Sequence, residues 1–375
     1  SMQQTDLVPA RFRDGAARMA QALARTDKII VAGHVAPDGD AVGSLAAAGH
    51  VLRAMGKEFF LYARPDVPQY LRFLPFPGVV RTTLEHPPFT PQAALLLDCG
   101  EASRLGEELA ERLPSLESLN IDHHLGGSGM GSKANWVEPE AAATAQLMAY
   151  VTHMAGLPLA GDVATCLALG IITDTGGFCH GNTDSDVLAL AAHLAANGCD
   201  ISLLRHKLEN DWSLGRMRLW GELMSRIRLE YGGSVAFCPV FLKDMQVFQA
   251  LREDLEGFAE QMRRLRGVSV AVFLREDAPG LCKFSLRSYG ATDVRAVAAL
   301  LGGGGHRNAA GGTLHMGMEE AQTTLLAAVS DVLGGLCPPK NSTQKTDNAC
   351  AEANLQGYSS ARRSASTADS LKFSK

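Results

Sequence analysis

The chain has 375 residues, 46% of them hydrophobic and 20% charged, and a formal net charge of -5. That length accommodates two ordinary domains with sizeable cores, and that charge argues against a protein that coats long nucleic acid by electrostatics alone, while leaving a short anionic ligand open. The eight cysteines form no CxxC pair, which argues against a disulfide framework or a zinc knuckle and fits a reducing cytoplasm.

The opening "SMQQTDLVPARFRDG" lacks the basic-then-apolar order of a signal peptide, and no apolar run reaches the roughly 18 residues needed to cross a bilayer. "KIIVAG" (28–33) then reads as a buried strand, "DAVGSLAAAGHVLRAMG" as a helix ending at Gly56, and "KEFFLYA" as a second strand. The rhythm returns with "AALLLDCG" (93–100), a helix over 103–113 and a strand over 116–124. Strands alternating with helices predict an α/β fold with a mostly parallel sheet flanked by helices, in which ligands gather at the carboxyl ends of the strands. Two alanine-rich helices are expected near 140–155 and 160–173, and an amphipathic helical connector over 184–222. A smaller mixed α/β domain follows over 223–337, with strands at 234–240, 268–276 and 281–288 and helices near 251–265, 293–301 and 318–334. From Pro338 the composition turns to Ser, Thr, Asn, Ala and Gln, and 338–375 is expected to be a disordered tail.

Four stretches of the first region, 1–183, carry chemistry at predicted element ends. "HVAPDGDAVGS" supplies His34, Asp38 and Asp40. Pro-Asp-Gly is also ordinary turn chemistry and an Asp before a helix an N-cap; an EF-hand fails because Val42 and Gly49 stand where oxygen ligands are required. Asp98 closes "LLLDCG", where a carboxylate after apolar strand residues is costly unless paired or coordinated, although it could cap a following helix. "NIDHH" offers Asp122, His123 and His124, able to provide a metal ligand, an orienting partner and a proton donor. "GIITDTGGF" ends an apolar helix at Asp174, by itself simply a terminus. Together they make an oxygen-rich site with a minority of nitrogens, which suits Mn²⁺ or Mg²⁺ better than structural zinc. So many ligands exceed what one catalytic ion needs, and two ions sharing one carboxylate is the arrangement used in phosphoester cleavage. In the C-terminal region, Gly302, Gly303, Gly304 and Gly305 precede His306 and Arg307. Such a run lets backbone approach an anion, though it matches neither the Walker nor the GxGxxG spacing. Arg287 ends a strand pattern and could clamp a phosphate, or form a surface ion pair. Arg263, Arg264 and Arg266 read as a solvated helix face.

In this order, "HVAPDGDAVGS", "LLLDCG", "IDHH", "TDTGGF" and "GGGGHRNAAGG" resemble the motifs of the DHH phosphoesterase superfamily and its DHHA1 domain over about residues 15–335, most closely the cytoplasmic nanoRNases, which are bifunctional oligoribonucleases and pAp phosphatases. The resemblance implies two Mn²⁺ ions per subunit, one held by His34, Asp38 and Asp98, the other by Asp40, Asp98, His123 and Asp174, with Asp98 bridging. It also implies that His124 lies beside the scissile phosphate, that Asp122 supports the histidines, and that Arg287, Ser288, His306 and the glycines from Gly302 hold the substrate across an interdomain cleft. The implied substrates are RNAs of about two to five nucleotides and pAp, with dimerisation a further family trait. Competing readings are a phosphodiesterase for cyclic dinucleotides or linear pApA, an exonuclease for long DNA, and a non-catalytic nucleotide-binding regulator.

Overall fold

The computed structural model describes residues 7–209 and 212–334, which fall into two compact units, Ser1–Asp211 and Trp212–Lys375. The 338–375 stretch lies outside the described residues.

The first unit runs α1 (Ala10–Ala24), β1 (Ile29–Ala32), α2 (Gly39–Ala54), β2 (Phe59–Tyr62), β3 (Val80–Arg81), β4 (Ala93–Leu97), α3 (Glu107–Arg112), β5 (Glu117–Asp122), β6 (Ala134–Val137), α4 (Thr144–Met154), α5 (Asp162–Asp174), α6 (Ser185–Ala196) and α7 (Ile201–Glu209). Its six strands are all parallel, in the order β3-β2-β1-β4-β5-β6. Parallel strands are covered on both faces and therefore read as unbroken apolar runs. Thus Ile29, Val31, Leu95 and Leu97 enter a core shared with α1, α2, α4 and α5, while Ile30, Ala32, Ala94 and Leu96 pack with Leu105 and Leu109 on the other side. The order reverses between neighbours β1 and β4, a switch point where a crevice opens beyond the carboxyl ends of the strands. Helices α2 and α5 approach closely enough to need glycine: a Cβ on Gly43 would lie 2.6 Å from the Cys166 carbonyl oxygen and 3.0 Å from the Gly170 nitrogen.

Several local features depart from the sequence expectation, among them the following. The helix expected over 103–113 is broken at Gly106, whose φ of +82° divides a 3₁₀ turn, Ala102–Leu105, from α3. Helix α1 was not read from the sequence, yet it packs on α4 and β6. Of the 184–222 stretch, α6 and α7 place Leu190, Leu194 and Leu204 in the first unit's core. The next helix belongs to the second unit. Among the described residues, no single helix is long and apolar enough to cross a membrane.

The second unit contains α8 (Leu214–Arg226), β7 (Arg228–Glu230), β8 (Val235–Val240), α9 (Leu242–Val247), α10 (Phe258–Met262), β9 (Val270–Ala278), β10 (Leu281–Ser288), α11 (Val294–Leu300), β11 (Gly304–His306), β12 (Ala309–Leu314) and α12 (Met318–Leu333). Its sheet, in the order β11-β12-β10-β9-β8-β7, is antiparallel except for the parallel β8–β9 pair. α11 and α12 pack on one face, and α8 and α10 on the other. The fold class read from the sequence, a mostly parallel α/β sheet followed by a mixed α/β domain, is the one observed.

Candidate metal centre

The centre is assembled from the segments that follow β1, β4 and β5, together with the ends of α2 and α5. Asp38 is the N-cap of α2, its side chain accepting from the Ala41 N–H at 3.1 Å. The N-cap reading of Asp38 is therefore correct, and it leaves Oδ1 3.7 Å from His34 Nε2. His34, 6% exposed, follows β1 and holds its ring by an Nδ1 contact of 2.9 Å to the Val35 carbonyl. In the first turn of α2, Asp40 is fully buried. It accepts from Thr144 N at 2.7 Å, Ala145 N at 2.9 Å and Ser44 Oγ at 3.2 Å.

Asp98 follows β4 with φ at +56°, a left-handed conformation that a non-glycine residue adopts at some cost and that Asp tolerates better than most. The conformation aims a buried carboxylate both ways. Oδ2 lies 3.5 Å from His34 Nε2, while Oδ1 lies 3.4 Å from His123 Nε2 and accepts from Thr144 Oγ1 at 3.0 Å. His123 sits at the end of β5, with Nδ1 3.2 Å from the Ala141 carbonyl, so in the neutral tautomer that donates there Nε2 is left as an acceptor. That nitrogen is 3.1 Å from Asp174 Oδ2 and 3.5 Å from Asp40 Oδ2. His124 turns its Nδ1 to Asp122 Oδ1 at 2.6 Å, and the same oxygen accepts the His123 N–H at 2.9 Å. Asp122 is fully buried, and its Oδ2 has no hydrogen-bond partner.

The titration behaviour follows from crowding like charges in a dry place. Burial, then the Asp98 and Asp174 charges, raises Asp40 well above the usual carboxylate range. Asp174 is raised by burial and Asp98 against a hydrogen bond from His123. For Asp98, burial is outweighed by hydrogen bonds from His123 and His34, and its pKa falls. The imidazoles answer in kind. Against the opposing effect of burial, Asp38 and Asp98 push His34 up to about 10, and Asp174 and Asp98 push His123 up to about 11. His124 is raised chiefly by Asp122. Such a cluster is the environment a divalent cation relieves, displacing protons as it binds. The donor atoms fit one: His34, Asp38 and Asp98 form one group, and Asp40, His123 and Asp174 another, each with donor atoms within 4.8 Å of one another. A third such group, Asp98, His123 and His124, overlaps both.

The sequence reading did not identify Thr144, Ala145 or Ser44 as parts of this centre. The clue was "EAAATAQL", a helix start without a capping side chain, whose first N–H groups must find acceptors elsewhere.

In the second unit, Arg287 lies on β10, paired with Glu260 of α10. It lines a cavity of about 580 Å³ together with Arg252, Arg275, Lys283, Glu260 and Thr313. The Ser288 hydroxyl is buried, donates to the Thr292 carbonyl at 2.6 Å and accepts from Asn308 Nδ2 at 2.9 Å. The glycine run is not a free loop: Gly304, Gly305 and His306 form β11, paired antiparallel with Ala309–Gly311 of β12. A Cβ on Gly303 would lie 2.2 Å from the Gly311 carbonyl oxygen and one on Gly305 2.5 Å from that of Ala309, whereas Gly304 faces open space. The His306 side chain lies outside the described residues. Arg263 of the expected solvated face donates to the Ser288 carbonyl at 3.2 Å.

The chain has relatives among known proteins. It matches the DHH family N-terminal domain over residues 28–171 and the DHHA1 domain over 243–335. It is 35% identical over 307 residues to the bifunctional oligoribonuclease and PAP phosphatase NrnA of Thermus thermophilus, covering 81% of this chain and 90% of that one. It is 26% identical over 354 residues to the cyclic-di-AMP phosphodiesterase PdeA of Listeria monocytogenes, covering 87% of this chain and 51% of that one. An exopolyphosphatase-related protein from Bacteroides fragilis has the same fold, with a TM-score of 0.80 and 26% identity over 88% of this chain and 99% of that one.

Proposed function

We propose, from the premise that this chain belongs to the DHH family and carries a DHHA1 domain, that it is a divalent-cation-dependent hydrolase that degrades short oligoribonucleotides to 5′-mononucleotides and dephosphorylates pAp to AMP. The observation that carries the reading is the pair of ligand groups with Asp98 between them, one oxygen toward His34 and the other toward His123. One cation, Mn²⁺ in our reading, would be held by His34, Asp38 and Asp98, and a second by Asp40, Asp98, His123 and Asp174. When bound, they would supply an activated water and neutralise charge developing on the phosphoryl group.

The protein's own part is positioning and proton transfer. Asp122 fixes His124 through Nδ1, which leaves the other ring nitrogen for a substrate oxygen. As the water oxygen bonds to phosphorus, the P–O bond to the 3′ oxygen breaks and His124 protonates the leaving oxygen. Within the second unit, Arg287 and the glycine hairpin are the groups suited to a phosphate, with Ser288 keeping the adjoining turn in place through Asn308. We place the reaction in the cytoplasm, in keeping with the unpaired thiols of the described cysteines. Hydrolysis of cyclic dinucleotides is the weaker alternative, because the relative bearing that activity is 26% identical and the chain spans about half its length.

The deciding experiment incubates the protein with end-labelled RNAs of graded length, pApA, cyclic di-AMP and pAp, with and without Mn²⁺. Mononucleotides from the shortest RNAs and AMP from pAp, only with added cation, are expected; exclusive cleavage of cyclic di-AMP, or full turnover in excess chelator, would refute the proposal.

A further inference from the structure

We propose that Thr144 is a positioning residue that sets Asp40 and Asp98 relative to each other and thereby couples the two cation positions. The inference rests on the two-cation reading above. Helix α4 begins after Ala143, which has no side-chain cap. Its leading N–H groups therefore need acceptors from outside, and those of Thr144 and Ala145 find the two oxygens of Asp40 at 2.7 and 2.9 Å. The Thr144 hydroxyl points to the other carboxylate and donates to Asp98 Oδ1 at 3.0 Å. One residue thus contacts Asp40, a member of the second group, and Asp98, a member of the first that the two-cation reading has both cations share.

The hydroxyl also distinguishes the two oxygens of Asp98. It sits on Oδ1, which is 3.4 Å from His123 Nε2, and not on Oδ2, which is 3.5 Å from His34 Nε2. Apart from the imidazole hydrogen bonds that a bound cation would replace, it is the side-chain donor that reaches the Asp98 carboxylate among the described residues. Thr144 and Asp40 are both 0% exposed and Asp98 is 2% exposed, so bulk water cannot replace a lost donor. Without the hydroxyl, the backbone still aims the carboxylate but Oδ1 loses its fixed partner, and the second cation position, which would use Oδ1, loses more than the first. Partners of this kind characteristically change metal affinity about 10- to 100-fold when removed.

The test titrates Mn²⁺ into the full chain and its Thr144→Ser, Thr144→Ala and Thr144→Val variants by calorimetry, and follows the exchange-coupled electron paramagnetic resonance signal that two neighbouring Mn²⁺ ions give. Wild type and Thr144→Ser are expected to bind two ions with similar affinity and to develop the coupled signal at the same metal ratio. Thr144→Ala and Thr144→Val are expected to bind the weaker ion about 10- to 100-fold less tightly, with the coupled signal delayed to match. Ser and Ala both lack the threonine methyl, so their difference reports the hydroxyl even if the valine variant fails to fold. Identical titrations of Ser and Ala, or of Ala and wild type, would overturn the inference. A wild type that binds one ion and never couples would instead overturn the two-cation reading, and this inference with it.

Discussion

Among single residues, Asp98 offers the most conservative test. Asparagine tolerates the same positive φ, so Asp98→Asn keeps the backbone and removes only the charge that the two proposed cations would share. Turnover should fall well beyond the roughly 100-fold that loss of an outer partner costs, with Mn²⁺ stoichiometry falling alongside it in calorimetry. His124 gives the opposite pattern if it serves the reaction and not the cation. His124→Gln should lower kcat by about 10²- to 10⁴-fold while the protein still binds two Mn²⁺; loss of an ion would assign His124 to the third group, with Asp98 and His123. These residues were readable because a charged side chain closing an apolar run is too costly to bury without a partner or a cation. Thr144 and Ala145 were not, because one contributes a common hydroxyl and both contribute backbone N–H groups, and neither leaves a compositional trace. The glycine run shows the same limit: Gly303 and Gly305 are required by close strand approach, which a linear pattern cannot distinguish from an anion cradle.

At the level of elements, the central strands of the first unit were legible because burial on both faces writes them as apolar runs, whereas the 3₁₀ break at Gly106 and the edge strands β3, β6 and β7 depend on tertiary pairing. The packing of α2 against α5 ties stability to the centre, since Asp40 lies on one helix and Asp174 ends the other. Gly43→Ala places a methyl against backbone, and it should destabilise the protein by about 1–3 kcal/mol and weaken Mn²⁺ binding, read by chemical denaturation and calorimetry. Gly221→Ala in α8, where a Cβ meets nothing within 4 Å, should instead stabilise by about 0.4–1 kcal/mol. In the second unit, Asp244 accepts from Arg226 and from the Phe241 N–H at 2.8 Å, and these bonds outweigh burial to hold its pKa below the usual range. A depressed carboxylate stabilises the fold above the unfolded-state pKa of about 3.9 and loses that contribution as pH falls through its folded value. Asp244→Ala should therefore cost about 1.5–3 kcal/mol at pH 7, with the difference from wild type shrinking progressively below about pH 4.

For the molecule as a whole, two units with separate cores and one concentrated set of ligands predict an uneven response to cations. Mn²⁺ at about 100 times its dissociation constant should stabilise the unit that holds it by about 2.7 kcal/mol. In scanning calorimetry, chelator should abolish turnover and lower only the transition assigned to Ser1–Asp211, leaving that of Trp212–Lys375 in place. The reversal of strand order between β1 and β4 has a temporal counterpart during synthesis. Because these neighbours in space are separated by the whole β2–β3 excursion in the chain, a nascent polypeptide emerging from the ribosome completes the His34, Asp38 and Asp98 trio first. It must wait for Asp174, at the far end of α5, before the partner trio closes. A ribosome stalled short of that helix would carry only one of the two donor groups.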